Sequence, residues 1–254
     1  MVQEKQEPKI SSKGSITGVK SMTNQTRDLV LSRLKSMPDS SAKLARPQLP
    51  AMPASSMDRE QLIETFKGLL EAQTGVFKRA KGKSGVLAVL AEVFQEEGIS
   101  CAVASEDAVL SDLGLKEWGE ENGLTIRSTS DSPDPEVFKK VVFTEVDAGI
   151  TGADYGIAES GTLCILAGRQ MPRLTSLAPP IHIAVLPAER LLGVYEDMVA
   201  AVFKKPPPSQ VILITGPSMT ADIQATSFKG MHGPRRLIVI FREGGEEEVM
   251  GKDS

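Results

Sequence analysis

The runs "SCAVA" (100–104), "IHIAVLP" (181–187), "VILITG" (211–216) and "RRLIVIF" (235–241) limit what this chain can become. Each is apolar at nearly every position, and Gly or Pro stands close to most of their ends. That is the pattern of a strand covered on both faces, not of one with a wet side. Helical segments alternate with these runs. Asp58 and Gln61 form a D-x-x-Q start for a helix through Gln73, closed by Gly75. A strand is expected near Val76 to Arg79, a helix over "GVLAVLAEVFQEEG" ending at Gly98, a strand near Leu124 to Arg127 and a helix from Glu189 to Lys204. The alternation predicts an α/β fold with a mostly parallel sheet flanked by helices.

The ends of the chain read differently. Residues 1–22 are polar and aperiodic, the composition of a disordered extension. The N-terminal helix is placed in 23–37, with Asn24 able to cap "QTRDLVLSRLKS" (25–36), and Leu29, Val30, Leu34 and Met37 recur near helical spacing. Residues 38–57 hold Pro38, Pro47, Pro50 and Pro53 among Ser and Ala, a linker composition that sets this helical arm apart from an α/β domain over 58–243. Residues 244–254 read as a solvated acidic tail.

Charge and cysteine usage narrow the function. With 29 Lys and Arg against 33 Asp and Glu, the net charge of −4 and the lack of a basic stripe argue against a nucleic-acid partner. No apolar run reaches the roughly 18 to 20 residues of a membrane span, so a cytoplasmic location is expected. Cys101 and Cys164 lie in apolar runs and read as buried hydrophobes; no His and Cys spacing points to a metal site.

Three glycine-bearing loops hold the candidate chemistry. In "ITGADYGIAESGTLCILAG" (150–168), Asp154 and Glu159 are candidate acid, base or nucleophile, with Gly152, Gly161 and Thr162 around a ligand. Two close carboxylates would have their pKa values driven apart, which suits paired roles. On a strand, however, positions five apart face opposite ways. In "TGPSMTADI" (215–223), Thr215, Gly216, Ser218, Thr220 and Asp222 offer amides and hydroxyls to an anion at the start of a helical turn, or alternatively cap that turn. In "KGMHGPRR" (229–236), Lys229, His232 and Arg235 add cationic and catalytic groups. His182, in "IHIAVLP", reads as a histidine satisfied by one hydrogen bond near a strand edge.

"GITGADYGIAESGTL", "RLTSLAPPIHIAVLPAERL", "LITGPSMTADI" and "GMHGPRRLIVI" resemble, in this order, the signature segments of the LUD-domain family, in particular its lactate-utilization protein C branch. The resemblance covers the last half of the chain, from Asp147 to Phe241, and the N-terminal helix and linker resemble the start of those proteins. It implies a domain related to ribose-5-phosphate isomerase, glucosamine-6-phosphate deaminase and the CoA transferases. It also implies a part in a three-protein system oxidising L-lactate to pyruvate, with iron–sulfur clusters in partner subunits and no cofactor in this chain. Asp154, Gly161 and Thr162 are the positions carried over from the active-site strand ends of the related isomerases. Met219 stands where the family more often has a basic residue. A small carboxylate or anionic metabolite is the implied ligand. Two further readings stand beside this one: a stand-alone isomerase or acyl/CoA-transferase-type enzyme acting on a phosphorylated or CoA-linked substrate, and a non-catalytic metabolite-binding module.

Overall fold

A computed structural model describes residues 17–36, 57–131, 134–168, 172–203, 208–221, 227–230 and 232–244, with side chains except at 17–25, 220–221 and 227–229. The chain divides into two units, Met1–Met52 and Pro53–Ser254. In the first, helix α1 (Thr17–Ser36) leaves Leu29, Val30 and Leu34 at least half exposed. It starts earlier than the sequence predicts. Residues 17–22 are helical and Asn24 is inside the helix, so it is not the cap. Met37, residues 1–16 and 38–56, and the tail from 245 lie outside the described residues.

The second unit opens with α2 (Arg59–Ala72), whose Asp58 and Gln61 form the reciprocal capping box that their spacing predicts. Its far end deviates in one respect. The Gly75 N–H donates to the Leu70 carbonyl and the Thr74 N–H to that of Glu71, a Schellman closure. The left-handed residue in it is Thr74 (φ 65°), not glycine. Gly75 supplies room instead, since a Cβ there would come within 2.6 Å of Leu70 Cδ1.

From there the chain alternates: β1 (Val76–Lys81), α3 (Gly82–Glu97), β2 (Cys101–Ala104), α4 (Leu115–Glu121), β3 (Thr125–Ser128), α5 (Pro135–Thr144) and β4 (Ala148–Gly152). Two short strands, β5 (Tyr155–Ile157) and β6 (Thr162–Ala167), precede α6 (Arg173–Leu177) and β7 (Ile181–Pro187). Then come β8 (Leu191–Leu192), α7 (Tyr195–Val202), β9 (Gln210–Ile214), β10 (Met219–Ala221), β11 (Ser227–Lys229) and β12 (Arg236–Glu243). Six of these strands form one all-parallel sheet in the order β1-β12-β7-β4-β2-β3.

Alternation along the central strands explains the unbroken apolar runs. Ile183, Val185, Ile238 and Ile240 pack on Val86, Leu90 and Val93 of α3. Ala184, Leu186, Leu237, Val239 and Phe241 turn the other way, onto Ile63, Phe66 and Leu70 of α2. Both faces of the sheet are therefore dry. Among the described residues, no helix is long and apolar enough to cross a membrane.

Two sequence expectations need correction. "VILITG" does not join the parallel sheet: β9 runs antiparallel to β6 at the edge of a second sheet ordered β8-β5-β6-β9. The single helix expected from Glu189 to Lys204 is a 3-10 turn at Ala188–Arg190, the strand β8 and the shorter α7. Leu191 and Leu192 are held extended by pairing with Gly156 and Ile157 of β5, so the helix can begin only beyond them.

Candidate functional site

The order of the parallel sheet marks one place on it. From β2 the chain moves outward to β3, then crosses back to β4 on the other side of β2. Such a reversal opens a crevice beyond the carboxyl ends of the two flanking strands, where ligands of open α/β sheets bind. Here those ends carry Ser105 and Asp107 after β2, and Gly152 at the end of β4 with Asp154 after it.

Asp107 is 9% exposed and stitches the crevice together. One carboxylate oxygen accepts from the Ser105 hydroxyl (2.5 Å) and the Gly152 N–H (2.9 Å); the other accepts from the Val109 N–H (2.8 Å) and the Leu110 N–H (3.3 Å). With its lone pairs occupied, this carboxylate is a scaffold and not a base. Gly152 is needed for space, because a Cβ there would overlap the Asp107 carboxylate and approach Val109 Cβ to 2.5 Å.

Asp154 is left with an open oxygen. Its N–H donates to the Cys164 carbonyl (2.9 Å), fixing the backbone, and its Oδ2 accepts from the Leu166 N–H (2.7 Å). Oδ1 lies 3.9 Å from Nη1 of Arg190, and the side chain is 27% exposed. Burial pushes the Asp154 carboxyl above the ordinary range; the Leu166 N–H and the Arg190 charge oppose that, and the Asp107 charge adds to it. Arg190 also lines a cavity of about 200 Å³ at the carboxyl ends of β7 and β12, beside Val109, Asp112, Pro187 and Arg242. Arg242 is gripped by both oxygens of Asp112 (3.0 and 2.6 Å). The site thus offers a partly desolvated carboxylate with a guanidinium between it and a small cavity. Cys164, beneath it, is no nucleophile: burial, with the Asp154 charge, pushes its thiol up to about 12. Neither cysteine is bridged.

The structure distributes the sequence-predicted residues over several places. Gly152 and Asp154 are in the crevice. Glu159 stands beyond the opposite end of β5, where Oε1 accepts from the Tyr195 N–H (2.7 Å) at the start of α7. It is an exposed helix-terminal cap, favoured there by the helix dipole, and the two acids do not share a site.

Gly161, Thr162, Thr215 and Gly216 gather instead at the carboxyl end of α2. A Cβ on Gly161 (φ 62°) would come within 2.5 Å of the Leu70 nitrogen, and one on Gly216 within 2.9 Å of Gln73 Cβ. Thr162 Oγ1 meets the hydroxyls of Ser160 (2.8 Å) and Thr215 (3.0 Å). A helix carboxyl end is negative, so these four form a packing seam in place of the expected anion cradle.

Ser218 leads into a hairpin of β10 and β11, not a helical turn, so no helix start faces a ligand there. Its N–H donates to the Pro234 carbonyl (2.8 Å) and its carbonyl accepts from the Gly230 N–H (2.9 Å), which commits the amide expected to hold an anion. The side chains of Thr220 and Lys229, and all of Asp222, lie outside the described residues. His232 and Arg235 do come together, in a groove at the amino edge of the sheet. They stand roughly 20 Å from Asp154, the length of β7 at about 3.3 Å per residue, so His232 cannot act with that carboxylate.

Asp107 and Arg190 were missed by sequence reasoning. Both follow directly after an apolar strand, in "ASED" and "LPAER", and that position at a strand's carboxyl end was the available signal.

The LUD domain family matches residues 63–241, most of the body just described. The chain belongs to the LUD-domain family. Among relatives, a lactate utilization protein C of Halalkalibacterium halodurans is 38% identical over 104 residues, covering 39% of this chain and 45% of that one. An uncharacterized protein of Neisseria meningitidis is likewise 38% identical over 107 residues, 41% of this chain and 46% of that one. This LUD-domain chain thus spans less than half the length of those two relatives. The lactate utilization protein C of Oceanobacillus iheyensis is matched more widely, at 26% identity over 77% of this chain and 84% of that one. A crystal structure of a DUF162 family protein from Deinococcus radiodurans shares the α/β fold, with a TM-score of 0.52 and 19% identity over 73% of this chain and 99% of that one.

Proposed function

We propose that this LUD-domain protein takes part in lactate utilization in the cytoplasm by binding a small 2-hydroxycarboxylate at the carboxyl edge of its parallel sheet. The observation that carries the reading is the Asp154–Arg190 pair, 3.9 Å apart beside a small cavity. Arg190 is the group to hold the substrate carboxylate, since a planar guanidinium matches it in two hydrogen bonds. Asp154, its proton affinity raised by burial, is the base for the C2 hydroxyl. Conversion of L-lactate to pyruvate releases two protons and two electrons. Asp154 takes the hydroxyl proton; the C2 hydrogen would leave with the two electrons to an acceptor supplied by the partner proteins, whose iron–sulfur clusters would carry the electrons onward one at a time while the second proton is released to solvent. The relatives named lactate utilization protein C support this choice of substrate. The isomerase and transferase readings, with Asp154 or Glu159 as base or nucleophile, lose the paired acid and base roles, because Glu159 lies at the start of α7, away from Asp154.

Calorimetric titration with L-lactate and a dye-reduction assay on the reconstituted complex test the proposal. Arg190→Gln is expected to weaken lactate binding about tenfold or more, the worth of a charge-assisted hydrogen bond. Asp154→Asn is expected to keep binding while lowering turnover by about 10²-fold or more. No lactate binding by the native chain, together with full activity when the chain is left out, would sink the idea.

A further inference from the structure

The groove at the amino edge of the sheet is a separate feature of about 780 Å³. It opens where Pro180 leads into β7, Arg235 leads into β12 and Phe143 closes α5. Its size is that of a small-molecule pocket. One wall is apolar, with Phe143 59% and Leu177 38% exposed and Leu174 and Ala178 between them. An aromatic ring left this open beside aliphatic neighbours marks a contact surface more than a lone exposed residue does.

The rest of the lining includes Arg235. Arg235 and Arg236 are neighbours in sequence with different fates. Arg236 is bound to Glu97, its Nε 3.0 Å from Oε1. Arg235 turns to the groove with no carboxylate partner among the described residues; only its backbone is engaged, by the Pro180 carbonyl (2.8 Å). His232 also lines the groove and is exposed, and no acidic side chain is among the described residues that line it.

We propose that this groove is a second ligand site, independent of the Asp154 crevice, for a monocarboxylate with an apolar body, such as a medium-chain alkanoate. Phe143 and Leu177 take the chain, and Arg235, aided by His232, takes the carboxylate. A single free guanidinium suits a monoanionic planar head, which it grips in two parallel hydrogen bonds. The apolar side chains supply the rest by removing hydrocarbon from water. Lactate, with one methyl group, would gain little here.

Calorimetric titration of the full chain with sodium octanoate, with octanol as the neutral analogue, decides it. One saturable octanoate site is expected, with octanol at least about tenfold weaker. Arg235→Gln should abolish that preference, Arg235→Lys should keep part of it, and Phe143→Ala should weaken both ligands together. Arg190→Gln should leave octanoate binding unchanged, which separates this site from the carboxyl-edge one whether or not lactate binds there. Equal binding of octanol and octanoate, no saturable site, or loss of octanoate binding on Arg190→Gln alone would overturn the proposal. Thermal melts of the variants check that each is folded.

Discussion

At the scale of single residues, His182 shows how burial sets chemistry. It is fully buried on β7, with Nε2 2.9 Å from Thr151 Oγ1 and Nδ1 without a partner among the described residues. The sequence reading places one hydrogen bond near a strand edge; the bond exists, but β7 is central, between β12 and β4. Burial pushes the imidazole down to about 4 from 6.5. The unfolded chain therefore binds a proton near pH 6.5 that the native state refuses until about pH 4. Stability from this group is full above pH 6.5 and is lost as pH falls through that window. The loss amounts to the order of 3 kcal/mol, at 1.36 kcal/mol per unit. Unfolding free energies from urea titrations should fall less between pH 7.5 and pH 4 for His182→Gln than for the native chain, by an amount of that size. Parallel falls in both proteins would mean that His182 is not the group responsible. Asp154 and His182 are both legible as residues worth watching; what their neighbours do to them is not, because Arg190 and Thr151 approach only through the sheet.

At the scale of elements, local signals are readable and long-range partners are not. The capping box of α2 spans three residues and forms as its spacing predicts. Glu159 caps a helix 36 residues away, and the sheet that β9 joins is chosen by its pairing with β6, so neither was legible in "AES" or "VILI". Periodicity reports that a strand is buried on both faces but not which sheet buries it. The end of α2 supplies a test of the same kind. Thr74 sits at φ 65°, a left-handed conformation costing a β-branched residue about 1–2 kcal/mol. Thr74→Gly removes that strain and gives back roughly 0.5–1 kcal/mol as unfolded-state entropy. A net gain of about 0.5–1 kcal/mol is expected, or roughly 1–4 °C in Tm for a domain of this size. Gly75→Ala should move Tm the other way, because its Cβ would press on Leu70. Thermal melts showing both shifts with the same sign would refute this account of the turn.

At the scale of the whole molecule, the core and the arm separate cleanly in sequence. Every buried apolar side chain among the described residues belongs to Ile63 or later. The described apolar side chains of α1 are exposed instead, Leu29, Val30, Leu31 and Leu34 among them. A lone helix of this length is only marginally stable in water. If burial of apolar surface carries the stability of the body, a chain beginning at Pro53 has all of it. Such a chain is expected to unfold in one cooperative transition within about 2 °C of the full-length protein, a difference below roughly 1 kcal/mol. It should lose only the helical circular dichroism owed to α1. A drop of several degrees would show that Leu29, Val30 and Leu34 contribute packing to the body in solution. An unchanged melt would leave that leucine-bearing surface available to another molecule, because nothing in the body's own stability would require it.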